Sequence, residues 1–144
     1  MAQTDRNYYD TFITAAADCP VECGVVPPDK KGGKTKPGIE FELASKQPYR
    51  YTQEELQFEV HARHKGIPAE ELAARGEELK AEFHRKPQPC LRASMLPKRY
   101  GWGIHFDAQG KLALIPMESA EYRRFVDGQA GQVKLLPAMR NSRK

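Results

Sequence analysis

Apolar and polar residues alternate over two stretches in the first third of this chain. Ile39, Phe41 and Leu43 are separated by glutamates, and this period of two predicts a half-buried strand over Gly38–Leu43. A second segment, Tyr8–Ala16, is apolar at its centre and rich in residues that favour strands. We therefore expect a strand on either side of the loop that separates these segments.

Helical signals dominate the middle of the chain. Thr52 and Glu55 form a capping box, and Gly66 follows where a glycine commonly ends a helix. The apolar residues between them alternate as in a strand, but the cap and the glycine favour a helix. Pro68 then suits the first helical position of a second helix, Ala69–Arg85, which is rich in strong helix formers.

Short strands are expected in the second half of the chain, joined by turns. They are predicted at Cys90–Leu96, Tyr100–Asp107, Lys111–Met117 and Gln132–Met139. A tight turn at Ala108–Gly110 joins the second and third of these strands. Ser119 caps a short helix that runs to Val126 and precedes the last strand.

Together these elements predict a single α+β domain over residues 1–144. Its antiparallel or mixed sheet is expected to hold about five to six strands, with two or three helices on one face. The Asp18–Gly38 segment, rich in Pro and Gly, is expected to be a long loop. Residues 140–144 are expected to form a flexible basic tail.

Hydropathy and cysteine content narrow the class of protein. No apolar run approaches the roughly 18 residues of a membrane helix. The N-terminus lacks the apolar stretch of a signal peptide, so we expect a cytoplasmic protein. The chain has three cysteines, an odd count that argues against a disulfide framework.

Charge is distributed unevenly along the chain, whose net charge is +4. Residues 52–82 hold eight acidic and four basic side chains, whereas residues 84–106 hold five basic and no acidic ones. One interpretation is two solvated faces that aid solubility. The other is an anion-binding surface in the basic half.

Two motifs suggest cofactor chemistry, and neither is complete. Gly32–Thr35 resembles the end of a phosphate-binding loop, but Pro28 stands where that motif needs a glycine, and a strand is expected to follow. Cys19 and Cys23 would need two further ligands to hold zinc, for which the paired histidines at 61 and 64 are candidates of unspecific spacing. We therefore expect neither a metal nor a cofactor.

Side-chain parity in two predicted strands gives the most specific site hypothesis. In the Tyr100–Asp107 strand, Gly101, Gly103 and His105 share the face opposite the core, and the glycines would let a ligand or a helix approach the backbone. If the Cys90–Leu96 strand pairs with it, Arg92 and Ser94 would converge beside His105 in a small polar pocket.

Each residue of that pocket has an expected role and an alternative. Arg92, with Arg99 nearby, would bind a carboxylate or phosphate, and His105 would transfer a proton. Cys90 would be a nucleophile only with His105 as its base, so these two are weak catalytic candidates. Alternatively, Arg92 pairs with a glutamate, His105 is a surface histidine, and Cys90 is simply buried.

Several motifs together resemble a known family. They are Asp18-Cys19-Pro20, Phe58-Glu59-Val60-His61-Ala62, Gly66-Ile67-Pro68, Cys90-Leu91-Arg92-Ala93-Ser94 and Lys98-Arg99-Tyr100-Gly101-Trp102-Gly103-Ile104-His105. The chain resembles a family of small, mostly bacterial proteins filed as a domain of unknown function, which implies no activity. A fainter resemblance, around Trp102 and Ser119–Tyr122, is to the YjbR-like family of compact α+β proteins, often labelled DNA-binding.

Three functions follow from these observations, in this order of preference. The first is a small binding module for an anionic partner, either nucleic acid or a phosphate or carboxylate ligand. The second is an accessory protein that binds another protein or a second copy of itself. The third is a small enzyme that acts on an anionic metabolite through Arg92 and His105. Catalysis is expected less than binding.

Overall fold

Four strands form a mixed sheet in the part of the chain that the structure describes. The structure is a computed structural model that describes residues 7–29, 33, 35–86, 88–129, 131 and 133–141. The strands are β1 (Thr11–Thr14), β2 (Trp102–Phe106), β3 (Leu112–Pro116) and β4 (Lys134–Pro137), in the order β3-β2-β1-β4. The β1–β2 and β2–β3 pairs are antiparallel, and β1–β4 is parallel. The strand predictions at 8–16, 100–107, 111–117 and 132–139 are therefore confirmed in shortened form, with Gln132 outside the described residues.

Five α-helices accompany the sheet within the described residues. They are α1 (Lys36–Lys46), α2 (Gln53–Lys65), α3 (Ala69–Arg85), α4 (Met95–Arg99) and α5 (Ala120–Val126). The predicted capping box of α2 is present, and Gly66 ends that helix with a left-handed φ of 72°. Pro68 is the residue before α3 rather than its first residue, and α3 has a non-helical φ of −129° at Arg75. Ser119 caps α5 as predicted.

The strand predicted over Gly38–Leu43 is wrong, because this segment lies inside α1. The Thr35 hydroxyl accepts a hydrogen bond from the Gly38 N–H, and Pro37 lies in the first helical turn, where it is tolerated. Ile39 and Leu43 are one helical turn apart, and both are buried. Their alternation with glutamates therefore reflects one buried side of a helix.

The strand predicted over Cys90–Leu96 is also wrong. Leu91–Ala93 form a short 3₁₀ helix, and Ser94 begins α4 by accepting a hydrogen bond from the Leu96 N–H at 3.1 Å. The sheet consequently has four strands in the described residues, rather than five to six. The described residues form five α-helices rather than the two or three predicted, and these helices lie on both faces of the sheet rather than on one.

Side chains alternate along each strand, and this alternation decides which residues lie on each face of the sheet. Ile13, Ile104, Phe106 and Leu112 point to one face, where they pack with buried residues of α1 and α2. Phe12, Gly103 and His105 point to the other face, which α5 covers through Tyr122 and Phe125. We call these the α1–α2 face and the α5 face.

Connecting segments that were predicted as loop or tail are only partly described. A helix rather than a strand follows the glycine-rich Gly32–Thr35 motif, of which residues 32 and 34 lie outside the described residues. At the C-terminus, Asn141 donates hydrogen bonds to the Asp18 carboxylate and to the Lys98 carbonyl. Residues 142–144 of the predicted tail lie outside the described residues.

Candidate functional site

The glycine surface predicted to receive a ligand is filled by the protein itself. A Cβ atom at Gly103 would lie 2.5 Å from the Phe12 ring and 2.9 Å from the Tyr122 ring. At Gly101, where φ is +77°, a Cβ would lie 2.3 Å from the Cys23 carbonyl oxygen. The close approach that these glycines allow is therefore made by Phe12 of β1, by Tyr122 of α5 and by the loop around Cys23.

Arg92, Ser94 and His105 are not brought together in one pocket. The neighbours of β2 are β1 and β3, so the Cys90–Leu96 segment does not pair with the strand of His105. Arg92 Nε donates to the Pro137 carbonyl at 2.7 Å, and His105 Nδ1 is 2.9 Å from the Tyr49 hydroxyl on the α5 face. The predicted shared pocket is wrong, because it depended on pairing between two strands of which only one exists.

Cys90 has surroundings that differ from those expected of a thiol paired with His105. Burial raises the pKa of the Tyr8 hydroxyl to about 12, and the neighbouring Cys90 thiol adds to that shift. Cys90 is half-buried on the α1–α2 side of the sheet, whereas His105 points to the α5 face. Arg99 is exposed at the end of α4. No group of three or more metal-ligating side chains occurs in the described ranges, and this includes the cysteines and histidines considered for zinc.

A cavity of about 280 Å³ lies among helices of the α1–α2 face, and we call it the α1–α2 cavity. Its walls come from α1, α2, the end of α3 and residues 88–95. Its apolar lining consists of Pro37, Val60, Phe83, Pro89, Leu91, Ala93 and Met95. Its polar lining consists of Lys36, Glu40, Gln57, His61, Gln88, Cys90 and Ser94. The cavity therefore combines an apolar wall with hydrogen-bonding groups, as small-molecule sites do, although its share of polar residues is large for such a site.

Two glutamines of α2 hold one wall of the cavity in place. The buried Gln53 side chain accepts a hydrogen bond from the Leu91 N–H at 2.7 Å. One turn later, the Gln57 amide donates to the Pro89 carbonyl at 2.6 Å. Because these bonds satisfy backbone groups of an irregular segment, they fix residues 89–91 against α2.

Glu40 is the most unusual polar group of the cavity. The Ser94 hydroxyl donates a short hydrogen bond to its carboxylate, and no basic side chain of the described residues forms an ion pair with it. Burial raises the pKa of Glu40 to about 7, although the Ser94 hydrogen bond opposes that shift. Near neutral pH this carboxyl is therefore present both protonated and ionised.

His61 supplies the second titratable group of the cavity. Its ring packs against Phe83, with 4.6 Å between the ring centroids. Burial lowers the pKa of His61, and the nearby positive charges of Lys65 and Lys36 and the neighbouring His64 lower it further. The imidazole is therefore neutral at pH 7, when it can donate one hydrogen bond and accept another.

The sequence analysis missed Glu40 and the cavity that contains it. Glu40 was assigned to the solvated side of a strand, and Ser94 was assigned to a second strand. The available signal was the cap at Thr35: in a helix that starts there, Glu40 lies one turn before the buried Leu43 and Ala44. A glutamate on the buried side of a helix would then have stood out.

Comparisons with known proteins assign a family. No curated protein and no solved structure matches the chain. In the described residues, no helix is long and apolar enough to cross a membrane. Residues 3–144 match a family described as a family of unknown function, DUF6157. The chain belongs to this family of unknown function.

Proposed function

We propose that this protein is a small binding protein whose ligand occupies the α1–α2 cavity. The ligand class that we propose is a compact molecule with an apolar body and a protonated nitrogen. The observation that carries this proposal is Glu40, a half-buried residue that lines the cavity. Its desolvated carboxyl group has no ion-pair partner in the described residues and lies in a space with an apolar wall. A cation placed there would provide the missing partner.

Size and lining support a compact, partly apolar ligand. Pockets that bury drug-sized molecules have volumes of roughly 300–1,000 Å³. The α1–α2 cavity, at about 280 Å³, is just below that range. Its apolar walls favour a hydrocarbon or aromatic body, since such a body gains free energy by leaving water.

Electrostatics support a nitrogen cation over an anion at the same site. An ionised Glu40 would repel a carboxylate or phosphate and would form a charge-assisted hydrogen bond with an ammonium group. His61, neutral near pH 7, adds no opposing charge. Lys36 also lines the cavity and does oppose a cation, but it is exposed, so solvent and salt screen its charge. The cavity ligand therefore differs from the anionic ligand predicted for Arg92 and His105.

Binding remains preferred over catalysis for this site. Ser94 already donates to Glu40 and accepts from the Leu96 N–H, so its hydroxyl is committed to structure. Gln57 and Gln88 are likewise bonded to backbone carbonyls. A cytoplasmic location, the likeness to the YjbR-like family and the assignment as a non-enzyme stay predictions from the sequence.

Amide NMR titration with three probes of similar shape tests the proposal. The probes are benzylamine, the neutral benzyl alcohol and the anionic benzoate. We expect benzylamine to shift the amide signals of Val60, Leu91 and Ser94, and to bind more tightly than either other probe. Glu40→Gln should weaken benzylamine binding about tenfold or more, because the charge-assisted contact is lost.

Glu42→Gln is the matched control, because Glu42 lies on the same helix but pairs with Lys46 at the surface. This variant should bind benzylamine as the wild type does. Benzylamine shifts that map elsewhere, or equal benzylamine affinity in Glu40→Gln and wild type, would reject the proposal.

A further inference from the structure

The C-terminal segment 137–141 runs beside residues 92–98. Three hydrogen bonds join these segments: Arg92 Nε to the Pro137 carbonyl at 2.7 Å, the Met139 N–H to the Arg92 carbonyl at 2.8 Å, and the Asn141 side-chain amide to the Lys98 carbonyl at 2.8 Å. These bonds hold together segments that are far apart in sequence: Arg92 and Pro137 are separated by 45 residues, and Lys98 and Asn141 by 43. The two segments consequently lie side by side.

This pairing gathers basic residues from both segments. Arg140 lies between Met139 and Asn141, which contact Arg92 and Lys98 respectively. Arg99 follows Lys98 at the exposed end of α4. We call Arg92, Lys98, Arg99 and Arg140 the basic edge.

The basic-edge side chains differ from two arginines of α2 and α3, the acidic helices, in their pairing. In α2, Arg63 pairs with Glu59, and in α3, Arg75 pairs with Glu71 and Glu78. None of the four basic-edge side chains forms an ion pair with any residue that the structure describes. Their charge is therefore available to an external anion.

Arg92 and Asp18 show how this surface is organised. The Arg92 guanidinium uses Nε for the Pro137 carbonyl, and its two terminal nitrogens make no hydrogen bond with the described residues. The carboxylate of Asp18 contacts the same C-terminal segment, where it accepts hydrogen bonds from the backbone and side chain of Asn141. Asp18 thus helps to anchor the segment that carries Arg140.

We propose that the basic edge binds nucleic acid through its phosphates, without reading the bases. The cations belong to two segments that run side by side, which suits successive phosphates of a strand better than one small anion. Each phosphate contact contributes through release of counterions, so several weak contacts together give measurable affinity at low salt. This site is separate from the α1–α2 cavity, and neither proposal depends on the other.

Fluorescence anisotropy with labelled 20-nucleotide DNA, single-stranded and duplex, at 50, 100 and 200 mM NaCl tests this inference on the full chain. We expect binding at 50 mM that weakens as salt rises. The charge-removing double variants are Arg92→Gln with Arg140→Gln, and Lys98→Gln with Arg99→Gln. Each should weaken binding at least tenfold at 50 mM and reduce the magnitude of the logarithmic salt slope by about 1–2.

Two control variants separate charge from folding. Arg63→Gln with Arg75→Gln removes two charges from the acidic helices and should leave DNA affinity unchanged. Arg92→Lys keeps the charge but loses the geometry of the Pro137 contact. It should therefore retain most of the binding, whatever its effect on thermal stability.

Four outcomes would overturn the inference. The first is no anisotropy change at 50 mM NaCl with either DNA, and the second is an equal loss of DNA affinity in the Arg63 and Arg75 double variant. The third is binding of inorganic phosphate without DNA binding, and the fourth is binding of phosphatidylserine vesicles without DNA binding. The last two would assign the basic edge to a small anion and to a membrane surface, respectively.

Discussion

The helices on the two sides of the sheet differ in how completely they pack. On the α5 face, Phe12 stacks on Phe125 with ring centroids 4.5 Å apart, and the Tyr122 ring lies against Gly103. On the α1–α2 face, the helices leave a cavity of about 280 Å³ that contains Glu40. Gly103 in β2 thus marks a place where this protein packs closely on itself, whereas the cavity lies among the helices on the other side of the sheet.

The short helix α5 is held to its face by more than apolar contact. The Tyr122 hydroxyl accepts a hydrogen bond from the Ala15 N–H at 2.9 Å, just beyond the end of β1. Tyr122 also meets Phe12 edge-on, with ring centroids 5.3 Å apart. A seven-residue helix is marginal by itself, so these tertiary contacts account for its formation.

Gly103→Ala should have the largest effect of the changes considered, because it adds a methyl group to the filled face. The new Cβ would lie 2.5 Å from the Phe12 ring, so Phe12 or the backbone must shift. We expect a loss of about 3 kcal/mol in the free energy of unfolding, measured by urea denaturation. The control is Gly76→Ala, where a Cβ meets nothing within 4 Å. A loss below about 1 kcal/mol at Gly103 would show that the α5 face is not tightly filled.

Glu40→Gln should stabilise the protein at high pH, by about 2 kcal/mol at pH 8. The pKa of Glu40 is raised from 4.5 to about 7 in the folded state, so between these values the folded state binds more protons than the unfolded state. The contribution of Glu40 to the free energy of unfolding therefore falls as pH rises from 4.5 to 7. Glutamine has no charge to bury, so the gain from the substitution grows across that window.

Urea denaturation at pH 5, 6, 7 and 8 measures this gain, with Glu42→Gln as the control. The pKa values of His61 and His105 are lowered by burial, so their contributions rise with pH and oppose that of Glu40. The informative quantity is therefore the difference between each variant and the wild type. A difference for Glu40→Gln that does not change with pH would contradict a buried, shifted carboxyl.

Local start and stop signals explain which parts of the structure could be predicted from the sequence. Elements with local start and stop signals were predicted correctly, such as α2 with its Thr52 cap and Gly66, and the hairpin turn that ends at Gly110, whose φ is +82°. Errors occurred where a period of two arose by chance in α1 and in the Cys90–Leu96 segment. In both, a cap residue, Thr35 or Ser94, carried the correct signal, which the sequence analysis did not use.

The cavity was beyond prediction for a different reason. It depends on a contact between Glu40 and Ser94, which are 54 residues apart in sequence, and on Gln53 holding Leu91. No local pattern encodes such contacts. For the glycines of the Tyr100–Asp107 segment, a helix of the same protein was weighed beside a ligand, because a bare strand position allows a close approach without specifying its partner.

Tyr49→Phe probes a polar contact near the α5 face and should have a smaller effect. The Tyr49 hydroxyl is 2.9 Å from His105 Nδ1, and this contact is partly exposed. Its loss should reduce the free energy of unfolding by about 1 kcal/mol, since solvent partly replaces the hydrogen bond. Tyr100→Phe is the control, because no hydrogen bond of its hydroxyl occurs among the described residues. Equal losses in both variants would exclude a specific role for the Tyr49–His105 bond.

Val60→Ile should have the smallest effect on stability and is the sharpest test of the comparison. Val60 is 6% exposed and lines the α1–α2 cavity from within α2. Like Gly103→Ala, it adds one carbon to a buried position, but here the carbon enters empty space.

We expect the free energy of unfolding of Val60→Ile to rise by about 0.5 kcal/mol, somewhat below the 0.8 kcal/mol of a fully buried methylene. Val126→Ile, at an exposed position of α5, should change nothing. The same isoleucine should weaken benzylamine binding because it shortens the cavity. If instead it destabilised the protein by more than 1 kcal/mol, both faces would be equally full, and a ligand in the cavity would lose its support.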